Sequence, residues 1–351
     1  MRARTTMLAG AVAAACVATL LVAEAQEEAA QEAPRTSWGA PDLRGTWDFR
    51  TITPFERPAS FADQEFLTAD EVEEFEAAVR EQRAAREANS EYTENQGDVD
   101  VGYNSFFIDS GTQMSRTMRT SLVVDPPNGR VPAMTEDARA RARARFDTWG
   151  SPPRTPADRN TAVRCITGFN SGPPMTPGAY NNIMEVFQTP DYVAIRTEMV
   201  NDHRIIPVAE RAPLREDLRL WKGDSRGHWE GDTFVVTTTN FSEDTAFRNT
   251  GRDLVLTERF TRTSEAGLLY EYTVDDPASY EANWSTALEM QKTEDLIYEY
   301  ACHEGNLAMM LMLRGARLQE AEGRGDDQCL ASWYRGAAAA VQDEDPDEDE
   351  R

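Results

Sequence analysis

The sequence predicts a mainly β protein: an antiparallel barrel or closed sandwich, wrapped by an N-terminal helix and loops, with a C-terminal helix packed on it. Three observations carry this reading. From Asn181 onward, short runs alternate apolar and polar residues, the period of a strand with one buried face. Turn-forming clusters separate most of these runs: Thr189-Pro190-Asp191, Asn201-Asp202, Glu230-Gly231-Asp232, Ser264-Glu265-Ala266-Gly267 and Asp275-Asp276-Pro277. Helical periodicity is confined to segments before and after the alternating region.

Taken in order, residues 1–25 read as a secretory signal. Arg2 and Arg4 precede an apolar run from Met7 to Val22, and Ala23-Glu24-Ala25 forms an A-x-A cleavage site. The leucine usual three positions before a lipid-modified cysteine is missing before Cys16, so ordinary cleavage is expected. Residues 26–40 are expected to form a flexible polar leader. A helix-and-loop wrapping region is expected over 41–180, a β-barrel core plus C-terminal helix over 181–322, and an acidic disordered tail over 323–351.

Order is expected from Pro41. The Gly45-x-Trp47 pair resembles the first-strand signature of lipocalin-like barrels, in which the Trp closes the barrel floor and the Gly lets the chain turn in tightly. That resemblance implies a lipocalin-like barrel. Thr68 and Glu71 form a capping box, and Val72, Phe75 and Val79 follow at helical spacing, which predicts a helix over about 69–88 packed by one stripe. Phe106-Phe107-Ile108 and Ser121-Leu122-Val123-Val124 read as short strands. Thr135 caps a short helix to about Trp149, whose Arg139, Arg141, Arg143 and Arg145 read as a solvated face. Six prolines between Gly150 and Gly178 preclude regular structure there and predict a rigid loop that braces the barrel or rims a pocket.

Strands are then expected near 183–188, 191–199, 203–208, 216–222, 233–240, 253–262, 267–275, 284–291 and 296–302. Gly223-Asp224-Ser225-Arg226-Gly227 reads as a turn. Leu307–Glu322 has helical composition, and its Met309, Met310, Leu311, Met312 and Leu313 predict a buried first half.

Composition excludes several functions. The formal net charge is −25 without a basic cluster, which rules against nucleic acid as a partner. No segment after the signal is apolar enough for membrane insertion. Of four cysteines, Cys165, Cys302 and Cys329 survive cleavage; in an oxidising compartment two can pair, and spacing alone leaves the choice open. Cys302 reads as a packed thiol or as half of a disulfide with Cys165. Metal-ligand spacing, a nucleophile elbow and phosphate-binding glycine loops are absent, so neither metal nor cofactor is expected.

The reactive residues centre on Tyr298-Glu299-Tyr300-Ala301-Cys302-His303-Glu304. If this is a strand, Glu299 and His303 share a face, about 13 Å apart at roughly 3.3 Å per residue, and each needs a partner from elsewhere. Glu258 shares a strand face with Leu254, Leu256 and Phe260, where a lone charge is costly, and Arg196 is a possible counter-charge. His203 and His303 suit proton transfer near neutrality.

Trp47-Asp48-Phe49-Arg50-Thr51, Thr53-Pro54-Phe55-Glu56-Arg57-Pro58, Gly178-Ala179-Tyr180-Asn181-Asn182, the run from Gly223 to Thr233 and the run from Tyr298 to Asn306 together resemble a family of secreted proteins of Gram-negative bacteria. The resemblance runs from about Pro41 to Arg317. It implies an exported chain folded as one unit, periplasmic or secreted, and it carries no catalytic assignment.

Two functions are expected to compete. One is a cofactor-free lyase, hydratase or isomerase acting on a small, partly apolar molecule. Here His303, His203, Glu258 and Glu299 supply acid–base chemistry, and Arg196, Tyr192, Tyr298 and Trp229 bind the substrate. The other is a lipocalin-like carrier that binds a small-molecule ligand without chemistry.

Overall fold

The computed structural model describes residues 33–89, 108–209, 211–245 and 247–323. The signal, residues 26–32 of the leader, Phe106, Phe107, Cys329 and nearly all of the acidic tail lie outside them.

Among the described residues, ten strands form one antiparallel sheet. They are β1 (Gly45–Asp48), β2 (Val123–Asp125), β3 (Ile183–Gln188), β4 (Tyr192–Thr197), β5 (Asp202–Pro207), β6 (Asp224–Glu230), β7 (Thr233–Thr239), β8 (Val255–Arg262), β9 (Gly267–Asp275) and β10 (Trp284–Thr293). The order across the sheet is β5-β4-β3-β1-β10-β9-β8-β7-β6, with β2 also paired to β10. The three helices are α1 (Ala69–Asn89), α2 (Glu136–Gly150) and α3 (Ala308–Ala321). None is long and apolar enough to cross a membrane.

Alternation decides which side chains go inside. Along β8, Leu256, Glu258, Phe260 and Arg262 are buried and their neighbours are half-exposed. On β9 the inward set is Leu268, Tyr270, Tyr272 and Val274; on β10 it is Trp284, Thr286, Leu288 and Met290. In register, Phe260 faces Tyr270 and Tyr270 faces Leu288. Aromatic rings fill the interior: Tyr270 lies 4.9 Å from Phe260 and 5.8 Å from Tyr272 between centroids.

Backbone pairing does not close the sheet. Its two end strands, β5 and β6, share no ladder, yet they meet through side chains. Arg204 on β5 reaches Ser225 on β6 at 3.5 Å, and Ile206 lies over Gly227. A Cβ at Gly227 would stand 2.2 Å from Phe234 Cζ and 3.1 Å from Ile206 Cγ2, so only glycine lets the neighbouring ring cross β6 here.

β1 lies at the centre of the sheet, between β3 and β10, so the core reaches across the expected boundary at 180. Trp47 is fully buried. It donates from Nε1 to Leu43 O at 3.0 Å, with the Arg262 guanidinium 4.6 Å over its ring.

Five local expectations are corrected. Residues 216–222 form turns held by Asn240, whose side-chain amide donates to the carbonyls of Arg215 and Leu218. Asp224–Glu230, read in part as a turn, is strand β6. Residues 296–302 form a strap outside the sheet, and β10 before it is already paired on both sides. Finally, the first half of α3 is not buried: Leu307, Met310 and Leu311 are each more than half exposed, and Ala316 is the helix's buried residue. Ile108 is not in a strand either.

The expected starts of the first two helices agree with the structure. Glu71 accepts from the Thr68 amide at 2.7 Å, and Thr135 accepts from the Ala138 amide at 3.2 Å. The expected solvated arginine face is corrected in part, since Arg139 donates to Met134 O at 2.6 Å, Arg141 to Ser279 Oγ at 2.8 Å and Arg145 to Glu243 O at 3.1 Å.

Candidate functional site

Glu258 is the carboxylate that alternation forces into the interior of β8, and it is fully buried. Its partner is Arg204 of β5, not Arg196. The guanidinium donates through Nη1 to Oε2 at 2.5 Å and through Nη2 to Oε1 at 2.9 Å, the fork geometry that best neutralises a buried carboxylate. Tyr270 donates its hydroxyl to Glu258 Oε1 at 2.8 Å and accepts the backbone N–H of Met175 at 3.1 Å. A continuous polar chain therefore runs from a loop amide through a tyrosine and a carboxylate to an arginine.

The electrostatics follow from burial. Burial pulls the Arg204 guanidinium down, but Glu258 more than offsets this and leaves it raised. Burial, reinforced by the Glu258 charge, pushes the Tyr270 hydroxyl far above its usual range, so it stays a proton donor. Beside this chain, burial draws the Lys222 ammonium down to about 8, although the Asp202 carboxylate against it favours the charged form.

Met175 belongs to a loop held at both ends. Asn170 donates to Tyr180 O and to Asn182 Oδ1, and Asn182 Oδ1 in turn accepts the Gly178 amide at 2.7 Å. Between these clamps the loop sends Met175 into the core, 1% exposed. Its Gly172, Pro173, Pro174, Thr176 and Pro177 line an open cleft of about 520 Å³ on the other side. Aromatic walls complete the cleft: Phe55, Trp149, Trp221, Phe241 and Phe247, with Arg248 and Asp244 also lining it. The Arg248 guanidinium sits 3.9 Å from the Phe55 ring centroid. The proline-rich segment thus rims a pocket, one of the two roles expected for it.

The cleft wall at Thr161–Gly168 is tethered from behind. Cys165 pairs with Cys302 across 137 residues of sequence, resolving the alternatives left open for Cys302. Within the turn, Ile166 N donates to Thr161 O at 2.8 Å, and the Thr161 and Thr167 hydroxyls bond each other at 2.6 Å.

The residues singled out in the sequence are scattered. Glu258 is interior. His203 is exposed on β5, opposite Arg196 in register, and rims a void of about 10 Å³ with Met175, Arg204 and Lys222. Arg196 lies on the outer face of β4, 3.7 Å from Glu185, and Tyr192 is exposed at the start of that strand. Glu299 and Tyr298 are exposed on the strap. His303 is exposed beside Cys165 and Asn306, where it lines a separate hollow with Arg164. Trp229 packs tilted against Phe234, with ring centroids 5.2 Å apart, and packs on the core. The four candidate acid–base residues are not brought together.

Sequence reasoning passed over Arg204, Tyr270 and the cleft aromatics. The available signal for Arg204 was its phase: it shares a strand face with Ile206, a core residue. Glu198, just past β4, is also buried, and its carboxyl is raised chiefly by burial. Among the described residues no group of three or more His, Cys, Asp or Glu could hold a metal ion. No family model matches the chain, and neither a curated protein nor a solved structure matches it.

Proposed function

We propose that this chain binds a small, partly apolar, ring-bearing molecule in the cleft between the proline-rich loop and the aromatic wall, and performs no chemistry on it. The observation that carries the reading is the cleft itself. Its volume of about 520 Å³ falls within the range of small-molecule sites, and its lining combines flat aromatic faces with polar groups at Asn160, Asp244 and Arg248. The interior charges speak the same way: Glu258 and Arg204 are committed to each other, and the exposed histidines lack a common substrate position with them.

The sheet, bent until β5 and β6 touch, supports a barrel-like rather than a sandwich reading. The Cys165–Cys302 pair supports an oxidising, extracytoplasmic location, in line with the expected signal.

The test is retention. Purified protein is incubated with a bacterial metabolite extract, separated by gel filtration and examined by mass spectrometry. A bound small molecule is expected unchanged, with retention reduced about tenfold or more in Trp221→Ala and Phe247→Ala, since stacked aromatic contacts contribute about 0.5–1.5 kcal/mol each beyond their buried area. Retention of nothing, or equal retention by both variants and the wild type, sinks the proposal. A catalytic reading has one observation in its favour, the Tyr270–Glu258 hydrogen bond, which holds a proton donor against a carboxylate. It requires a chemically altered product in the same experiment, lost in Tyr270→Phe.

A further inference from the structure

The loop over 171–177 is a thin partition. Its prolines face the cleft, and Met175 alone passes through it into the core. The clamps are at the ends, through Asn170 and Asn182; the middle is held by the Met175 side chain and by the bond from its amide to Tyr270. A small recess of about 10 Å³ lies against Met175, lined also by Ile195, Thr197, Asp202, Arg204, Lys222 and the exposed His203, and the buried Thr197 hydroxyl has no hydrogen-bond partner among the described residues.

We propose that this loop is a lid, and that Met175 covers a second, deeper binding position on Tyr270 for an uncharged, mainly apolar molecule carrying one O–H or N–H donor. The chemistry of the seat dictates the class. When Met175 withdraws, it vacates an apolar slot among Ile195, Tyr270 and their neighbours, and it leaves the Tyr270 oxygen without the donor it accepts from. Tyr270 still donates to Glu258, so what it lacks is a donor, not an acceptor. A carboxylate would meet the Glu258 charge directly behind Tyr270, and a cation would meet Arg204, which is already paired. A neutral ring with a hydroxyl satisfies both the slot and the oxygen. The inference extends the reading of the cleft as a binding site, since the cleft is the route to the lid, but lid motion is measurable on the free protein.

Phenol is the probe, with toluene and benzoate as controls. In native-state amide exchange of the full chain, the Met175 amide is expected to exchange at least about a hundredfold faster than the ladder amides of β8 and β9, because lid opening is local rather than global. Phenol is expected to compete for Tyr270 and raise that rate further. In Met175→Ala, phenol is expected to bind at least about tenfold more tightly than in the wild type, ahead of toluene and benzoate, because the slot is already vacated. Adding Tyr270→Phe should erase the preference for phenol over toluene, and Met175→Leu should behave as the wild type. Exchange of the Met175 amide at the ladder rate overturns the lid, and this readout does not depend on any variant folding. Equal phenol affinity in the wild type and Met175→Ala, with both folded, overturns the deeper position. If no metabolite is retained but Met175 exchanges fast and phenol discriminates as stated, the lid stands and the reading of the cleft falls.

Discussion

Glu258 shows how much one residue's environment can be read from sequence. Its strand phase placed it inside, and the cost of a lone buried charge demanded a cation. The identity of that cation was not legible, because β5 and β8 are not neighbours in the sheet; they face each other only after the sheet bends. Arg196, the expected partner, lies on the outer face of β4, beside Glu185. A stability prediction follows from the pairing. Arg204→Met leaves a desolvated carboxylate without its partner and is expected to lower the unfolding free energy by about 3–5 kcal/mol. Arg204→Met combined with Glu258→Leu should recover most of that loss, as measured by urea unfolding. A double variant no more stable than the single one would mean that the pair holds the fold in some further way.

At the scale of elements, local chemistry was legible wherever the element satisfies itself. The capping residues Thr68, Glu71 and Thr135 start their helices as expected, and β3 and β9 keep the limits that alternation predicted. Elements that depend on a partner were misread. The strap at 296–302 has strand periodicity, but the strand it follows, β10, is already paired on both sides. Asp224–Glu230 has turn composition but becomes a strand, because Ser225 and Gly227 are small and Gly227 lies under the neighbouring Phe234. The strap nevertheless contributes to the cleft, because Cys302 holds the Thr161–Gly168 wall in place. Replacing both Cys165 and Cys302 by Ser is expected to lower the unfolding free energy by about 2–5 kcal/mol and to weaken retention of the cleft's ligand. Unchanged stability and retention would show that the turn's own hydrogen bonds suffice.

The described residues are built on one sheet bent until its end strands meet through Arg204, Ser225, Ile206 and Gly227 without a ladder. Side-chain contact without backbone pairing leaves amides on facing edges open to exchange. The edge-facing amides of β5 and β6 are therefore expected to exchange faster than those of β8 and β9, measured by hydrogen–deuterium exchange. Equal protection would mean that a ladder closes the sheet in solution. Among the described residues aromatic rings fill the interior, and the cleft lies outside, between loop and wall.

By itself the sequence determined the class of the fold, the inward face of most strands, the caps of two helices and the special position of Glu258. All of these depend on residues within a few positions of one another, where side-chain period and backbone chemistry act directly. Tertiary structure decided which cation answers Glu258, which cysteines pair, that the strap stays outside the sheet, and that a proline-rich loop with one inserted methionine separates the cleft from the buried polar chain. Those outcomes depend on which distant segments the bent sheet brings into contact, and a free edge or an empty seat exists only once the rest of the chain has folded.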